Sequence, residues 1–232
     1  MNGRTRFDLS LYLVTDNALC GARGLQATVE TALTGGVSML QYRAKDSELR
    51  TALAEAAMLA EIARRHNVPF IVNDRLDIAL AVDADGLHVG QSDMPSLIAR
   101  RLLGPDKILG ISVTRELEIA TVDAAVVDYV GLGPVFATGT KPDAAAPLGL
   151  EKFRSLRHRI DLPVVAIGGI QRDQARQVIE AGADGIAVVS AICAAPDAAA
   201  AARDLCREIA AGRDIAARQQ IKTGRQIEAG RA

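Results

Sequence analysis

Three groups of residues in this chain have the types and spacing to do chemistry. The first is Gln41-Tyr42-Arg43-Ala44-Lys45, which follows the apolar pair Met39-Leu40. Side chains alternate along an extended strand, so Gln41, Arg43 and Lys45 share a face, where two cations and an amide donor form a grip for a diphosphate. The second is the acid pair Asp74 and Asp93, each just beyond a short apolar run. Two carboxylates beside a diphosphate grip suit Mg²⁺, which takes one or two carboxylates plus phosphate oxygens and waters. Singly, Asp93 is as well explained as a helix cap and Asp74 as a partner of Arg75; jointly, the metal role is favoured. The third is a pair of turns, Gly168-Gly169 and Val189-Ser190, which permit close backbone approach and supply amide and hydroxyl donors for a phosphate monoester. Between the second and third groups lies Thr138-Gly139-Thr140-Lys141, where hydroxyls and a lysine on a glycine-hinged loop could close over an anion and exclude water. The following stretch, through Pro147, extends that movable loop. Of the histidines, His88 fits an internal, satisfied position, while His66 and His158 fall at helix ends, where charge–dipole effects suffice.

These groups need a scaffold, and the apolar pattern supplies one. Eight short apolar runs begin at Leu11, Met39, Phe70, Gly86, Ile108, Tyr129, Val164 and Gly185, the sixth extending to Phe136. Each ends in a polar, charged or glycine-rich cluster. Eight buried strands that unload their polar groups at one end describe a (β/α)₈ barrel, a TIM barrel of class α/β, with a single mouth that carries the chemistry. Runs such as Val164–Ile167 are continuously apolar, as in strands covered on both faces. Helical segments fall between them. One runs from a cap at Asp46 or Ser47 to about His66, with Leu49, Leu53, Ala56 and Ala60 as its buried stripe. Asn67 suits a left-handed cap, and Pro69 restarts the chain as the third strand. Pro95 sits in the first turn of a helix capped near Asp93, Thr114 caps the next, Asp173 starts another that stops at Gly182, and Pro196-Asp197 opens an alanine-rich last one. Strict alternation implies parallel pairing with right-handed crossovers.

The 232 residues suit one barrel. The expected organisation is a lead-in over 1–10, the barrel over 11–211, and a polar tail over 212–232 that is frayed or a surface helix. A net charge of −1 gives no general attraction to nucleic acid or an anionic membrane, so phosphate binding must be local. Aromatics are 3% with no Trp, which disfavours a base-stacking surface. No apolar stretch reaches a membrane span, and Met1–Asp8 lacks a signal-peptide core. Three cysteines without metal or redox spacing point to reduced thiols in a cytoplasmic protein. Oligomeric state is left open.

Together these segments resemble the thiamine-phosphate synthase family, which joins the pyrimidine and thiazole halves of thiamine. The resemblance rests on Tyr12–Asp16, Gln41–Lys45, Asn73-Asp74-Arg75, His88–Met94, Gly131–Lys141, Val165–Ile170 and Val188–Ile192, nearly all of the barrel. It implies that Gln41, Arg43, Lys45, Asn73 and Lys141 bind the aminopyrimidine methyl diphosphate, with Tyr42 and Ala44 in the same stretch. Ser112 would touch the diphosphate or the pyrimidine, and Asp74 and Asp93 would hold Mg²⁺. Thr138 and Thr140, flanking Gly139, would contact the thiazole phosphate, whose phosphate would rest on Gly169, Val189 and Ser190. The implied reaction is dissociative and yields thiamine monophosphate and pyrophosphate. A related thiazole tautomerase on the same barrel would need neither the Gln41/Arg43/Lys45 grip nor the acid pair.

Overall fold

The computed structural model describes residues 7–45, 47–140 and 145–229, with side chains through 218. The proposed cap at Asp46 and the loop lysine Lys141 lie outside the described residues.

Eight strands alternate with helices: β1 (Leu11–Val14), β2 (Met39–Tyr42), β3 (Phe70–Asn73), β4 (Gly86–Val89), β5 (Ile108–Val113), β6 (Tyr129–Leu132), β7 (Val164–Ile167) and β8 (Gly185–Val188). They close into one parallel barrel in chain order, with β1 paired to both β2 and β8. The α-helices are α1 (Asn17–Cys20), α2 (Leu25–Thr34), α3 (Leu49–Arg65), α4 (Leu76–Ala81), α5 (Ser96–Leu103), α6 (Gly149–Arg157), α7 (Arg172–Glu180), α8 (Ser190–Cys193) and α9 (Ala198–Ala229). No helix among the described residues is long and apolar enough to cross a membrane.

The period-2 alternation of strand side chains divides the apolar residues into two cores. Inward positions build a small cluster in the barrel lumen, including Tyr12, Met39, Ile71, Ile108, Tyr129, Val165 and Ala187, with Leu9 beneath. Outward positions such as Leu13, Leu40, Val72, Leu87 and Val130 join the helices in a much larger second core. Burial on both faces explains why the strands are continuously apolar.

A repeated device ties the barrel at the end where the strands begin. Each even strand is preceded by an oxygen-bearing side chain that accepts a backbone N–H from the start of the odd strand before it. Ser38 takes Leu11, Asp85 takes Phe70, Asp128 takes Leu109 and Asp184 takes Val164, all at 2.8–2.9 Å. Those N–H groups would otherwise lack partners, so Ser38 and the three acids are structural. Arg100, in the last turn of α5, donates to the Val126, Gly104 and Lys107 carbonyls and to Asp128. Arg157 does the same service for Asp184 from α6.

Several helix expectations need correction. Helix α3 follows Glu48, not Ser47, and buries Ala52, Ala56, Leu59, Ala60, Ile62 and Ala63; of the expected stripe, Ala56 and Ala60 are buried and Leu53 packs on the core, while Leu49 is 48% exposed. The stripe therefore holds except at Leu49, the first residue of the helix, where Ala52 takes the buried place. Asn67 does take the left-handed conformation, at φ 55°. Thr114 caps no α-helix. Glu118 folds back to accept the Thr114 and Arg115 N–H groups, and Glu116–Thr121 forms a 3₁₀ turn with no buried residue. Without an apolar face there is nothing to support a longer helix. Strand β6 stops at Leu132 because Pro134 has no N–H to give the ladder. Beyond it, the Val135 and Phe136 N–H groups rejoin β7, bonding Ile167 and Gly168 carbonyls. Of the two expectations for the tail, frayed or helical, the helical one holds: α9 runs through Gly212 to Ala229. A Cβ there would lie 2.8 Å from the Arg176 carbonyl of α7, so Gly212 is a point of close helix approach. Next to it, Arg213 donates to Ser10 Oγ and to the Asp184 carbonyl.

Candidate active site

The mouth is built where the strands end. Gln41 closes the inward face of β2, and Arg43 follows it, held by a hydrogen bond from its N–H to Thr15 Oγ1. Lys45 is exposed nearby and acts electrostatically on Asp74. Two members of this stretch do not join the group. Tyr42 faces the helices and its hydroxyl donates to Glu55 of α3 at 2.6 Å, while Ala44 packs on the same outer core. The alternation that aims Gln41 and Arg43 inward aims their neighbours outward. The side chains of Tyr42 and Ala44 are therefore structural.

Asp74 and Asp93 come together from the ends of β3 and β4. Burial first, and then the Asp93 carboxylate, raise the Asp74 carboxyl to about 6, with Lys45 and Asn73 pulling the other way. Asp74 sits at φ 59°, a left-handed conformation costing a non-glycine residue about 1 kcal/mol. Its N–H bonds the His88 carbonyl at 2.8 Å, which holds the turn in place. Asp93 curls back so that Oδ2 accepts the Gly90 N–H. Asn73 lies beside Asp74 as the last residue of β3.

Across the mouth stands the glycine turn. Gly168 and Gly169 have φ of 88° and 69°, and a Cβ on Gly169 would lie 2.3 Å from the Ala137 carbonyl. Only glycine fits there, and the turn is thereby packed on the loop that carries Thr138 and Thr140. Thr138 Oγ1 accepts the Thr140 N–H, and Gly139 between them is exposed with open space around it. Val189 precedes the short helix α8, whose first residue is Ser190. Gln171 reaches from beyond the Gly-Gly turn to donate to Ser190 Oγ, joining the ends of β7 and β8.

Between the two sides runs a buried polar chain. Gln41 Nε2 donates to Tyr12 Oη at 2.7 Å, Tyr12 and Tyr129 hydroxyls meet at 2.9 Å, His88 Nδ1 meets Tyr129 Oη at 2.9 Å, and His88 Nε2 meets Ser112 Oγ at 2.8 Å. Burial lowers His88 to about 4, so it is neutral at pH 7, as its expected internal position requires. Tyr12 and Tyr129 escaped the sequence reading. The clue was their parity: Tyr12 lies two residues before inward Val14 and Tyr129 two before Gly131, whose added Cβ would meet His88.

Compared with known proteins, residues 11–192 match the family model described as thiamine monophosphate synthase. The chain belongs to the thiamine monophosphate synthase family. The thiamine-phosphate synthase of Chloroflexus aurantiacus is 52% identical over 85% of this chain and 91% of the relative. That of Azorhizobium caulinodans is 51% identical over 86% and 94%. The solved thiamine phosphate pyrophosphorylase of Pyrococcus furiosus superposes with a TM-score of 0.79 at 37% identity, covering 88% of this chain and 96% of that one. As a thiamine-phosphate synthase, this chain is an enzyme of thiamine biosynthesis that condenses a pyrimidine diphosphate with a thiazole phosphate to give thiamine monophosphate.

Proposed function

We propose how the mouth divides this reaction. Gln41, Arg43, Lys45, Asn73 and Ser112, joined by Lys141 from the adjoining loop, take the aminopyrimidine diphosphate. Thr138, Thr140 and the backbone and hydroxyl groups at Gly169, Val189 and Ser190 take the thiazole phosphate. The observation that carries the division is the Asp74–Asp93 pair, set beside Lys45 on the β2–β4 side and facing the Gly168-Gly169 turn on the β7–β8 side.

Asp74 and Asp93 fit Mg²⁺. Burial, and after it the neighbouring Asp93 carboxylate, raise Asp74 to about 6, and such a pair is a site short of positive charge. No cluster of three His, Cys, Asp or Glu suited to a metal occurs among the described residues. Two protein oxygens, completed by diphosphate and water, are what Mg²⁺ takes. When bound, Mg²⁺ would neutralise charge on the departing diphosphate.

The chain's own groups favour a dissociative path. The Ser112–His88 pair has no carboxylate behind the histidine, whose other nitrogen meets a tyrosine hydroxyl, so it is not an activated nucleophile. In the proposed reaction the bond from the methylene carbon to the diphosphate oxygen breaks, and its electron pair leaves with pyrophosphate. The aminopyrimidine carries the cation until the thiazole nitrogen supplies the new bond. Arg43, Lys45 and Lys141 stabilise the leaving charge, and the Thr138–Lys141 loop excludes the water that would trap the cation. Three cysteines with no disulfide support a cytoplasmic setting.

Mixing the chain with both substrates and Mg²⁺ should release pyrophosphate, with none released when the thiazole phosphate is omitted or EDTA is added. Isomerisation of a thiazole phosphate without pyrophosphate release would overturn this reading.

A further inference from the structure

The buried chain from Gln41 to Ser112 has more order than packing requires. It draws one residue from each of five strands: Gln41 from β2, Tyr12 from β1, Tyr129 from β6, His88 from β4 and Ser112 from β5. Space is reserved for it. A Cβ on Gly110 would lie 2.2 Å from Tyr129 Cζ and 2.5 Å from His88 Nδ1, and one on Gly131 would lie 3.2 Å from His88 Cε1. No buried side-chain nitrogen or oxygen among the described residues lacks a partner.

Those bonds have a direction. Gln41 meets Tyr12 through Nε2, which can only donate, so Tyr12 Oη accepts. The proton of Tyr12 then goes to Tyr129 Oη, and that of Tyr129 to His88 Nδ1. A neutral ring that accepts at Nδ1 carries its proton on Nε2, which donates to Ser112 Oγ. With Gln41 Nε2 on Tyr12, any other sense leaves a buried proton unused or sets two protons on one bond, which is costly in a dry lumen. Burial supports the assignment by keeping His88 neutral and both tyrosines protonated. The ends therefore face the mouth with fixed characters. Gln41 presents Oε1, an acceptor with no hydrogen-bond partner among the described residues, beside the second Nε2 hydrogen, a pair that matches an exocyclic amine next to a ring nitrogen, and Ser112 has its hydroxyl proton left to donate.

We infer that this chain sets the donor–acceptor sense of the pyrimidine side, so that it takes an amino rather than an oxo heterocycle, with Tyr12, Tyr129 and His88 as positioning residues. The inference rests on the reading of Gln41 and Ser112 as substrate-facing. An exocyclic amine gives its N–H to Gln41 Oε1 while Ser112 donates to a ring nitrogen or diphosphate oxygen. An oxo group sets oxygen against oxygen at Gln41. Turning the amide over relieves that clash only by reversing every bond in the chain, which leaves Ser112 facing an acceptor without a proton. Either end can then be satisfied, but not both.

Two measurements test it. In ligand-free enzyme labelled with ¹⁵N at its three histidines, with His66 and His158 assigned by substitution, His88 should be the Nε2–H tautomer. An Nδ1–H tautomer would overturn the inference. Calorimetric titrations with Mg²⁺ and either the 4-amino or the 4-oxo form of the 2-methyl-5-(diphosphooxymethyl)pyrimidine give the second readout. Tyr129→Phe and Tyr12→Phe leave both mouth groups in place, and each should shrink the amino-over-oxo preference about tenfold or more. Thiazole phosphate binding should change less than twofold. A merely structural role would weaken both pyrimidines alike, so an unchanged ratio in either folded variant overturns the inference alone. Wild-type enzyme that binds neither pyrimidine overturns the assigned pyrimidine side, and the inference with it.

Discussion

Asp74 combines a left-handed backbone, partial burial and an acidic neighbour, and each should leave a measurable trace. Its carboxyl ordinarily titrates at 3.8 and in the fold is raised to about 6. Between those values the folded state holds a proton that the unfolded state has released. Stability therefore falls as pH climbs through that window and stays lower above it. Asp74→Asn keeps a residue that tolerates the left-handed turn and removes the charge. In urea melts without metal it should be about 1–2 kcal/mol more stable than wild type at pH 8, allowing for solvent screening, and equal to it at pH 3.5. Mg²⁺ should narrow the gap by stabilising wild type alone, and the variant should not turn over. A wild type as stable as the variant at pH 8 would count against this account. Much at this scale was legible: Gln41, Arg43, Asn73, Asp74 and Ser112 stand at the mouth because strand parity and polar run-ends place them there. Tyr42 and Ala44 came in with the contiguous motif, and the same parity turns their side chains toward the helices. Tyr12 and Tyr129 were missed because an aromatic in an apolar strand looks like core until its hydroxyl finds a partner.

Elements meet the site through backbone geometry that composition does not display. The Gly168-Gly169 turn was legible as a close approach, but not what it approaches: the loop after β6, which rejoins β7 beyond Pro134. Gly169→Ala must either adopt a strained φ of 69° or push against the Ala137 carbonyl. Steady-state kinetics should show KM for the thiazole phosphate raised about tenfold or more, with KM for the pyrimidine diphosphate nearly unchanged. An equal rise in both would mean that the turn serves the whole fold rather than one substrate. The helix expected after Thr114 failed for a local reason, since Glu118 takes the cap bonds and no apolar stripe follows. Neither fact shows in propensity alone.

At the scale of the whole molecule, eight apolar runs and their polar ends were enough to specify a closed parallel barrel with one mouth. What they did not reveal is how the opposite end is fastened. Ser38, Asp85, Asp128 and Asp184 carry no mark of it along the chain, because their shared role depends on strand neighbours 15 to 27 residues away. Asp184→Ala should cost about 1–2 kcal/mol in urea unfolding by orphaning the Val164 N–H, while kcat and both KM values stay put. A loss of activity without a loss of stability would show that this end communicates with the mouth. The central claim is that two anions face each other across that mouth, with a divalent ion held by Asp74 and Asp93. A crystal containing Mn²⁺, pyrophosphate and the thiazole phosphate tests it most directly. Anomalous density should place the ion between those two carboxylates, with pyrophosphate on Arg43 and Lys45 and the thiazole phosphate on Gly169 and Ser190. An ion bound elsewhere, or both anions on one side of the rim, would contradict it.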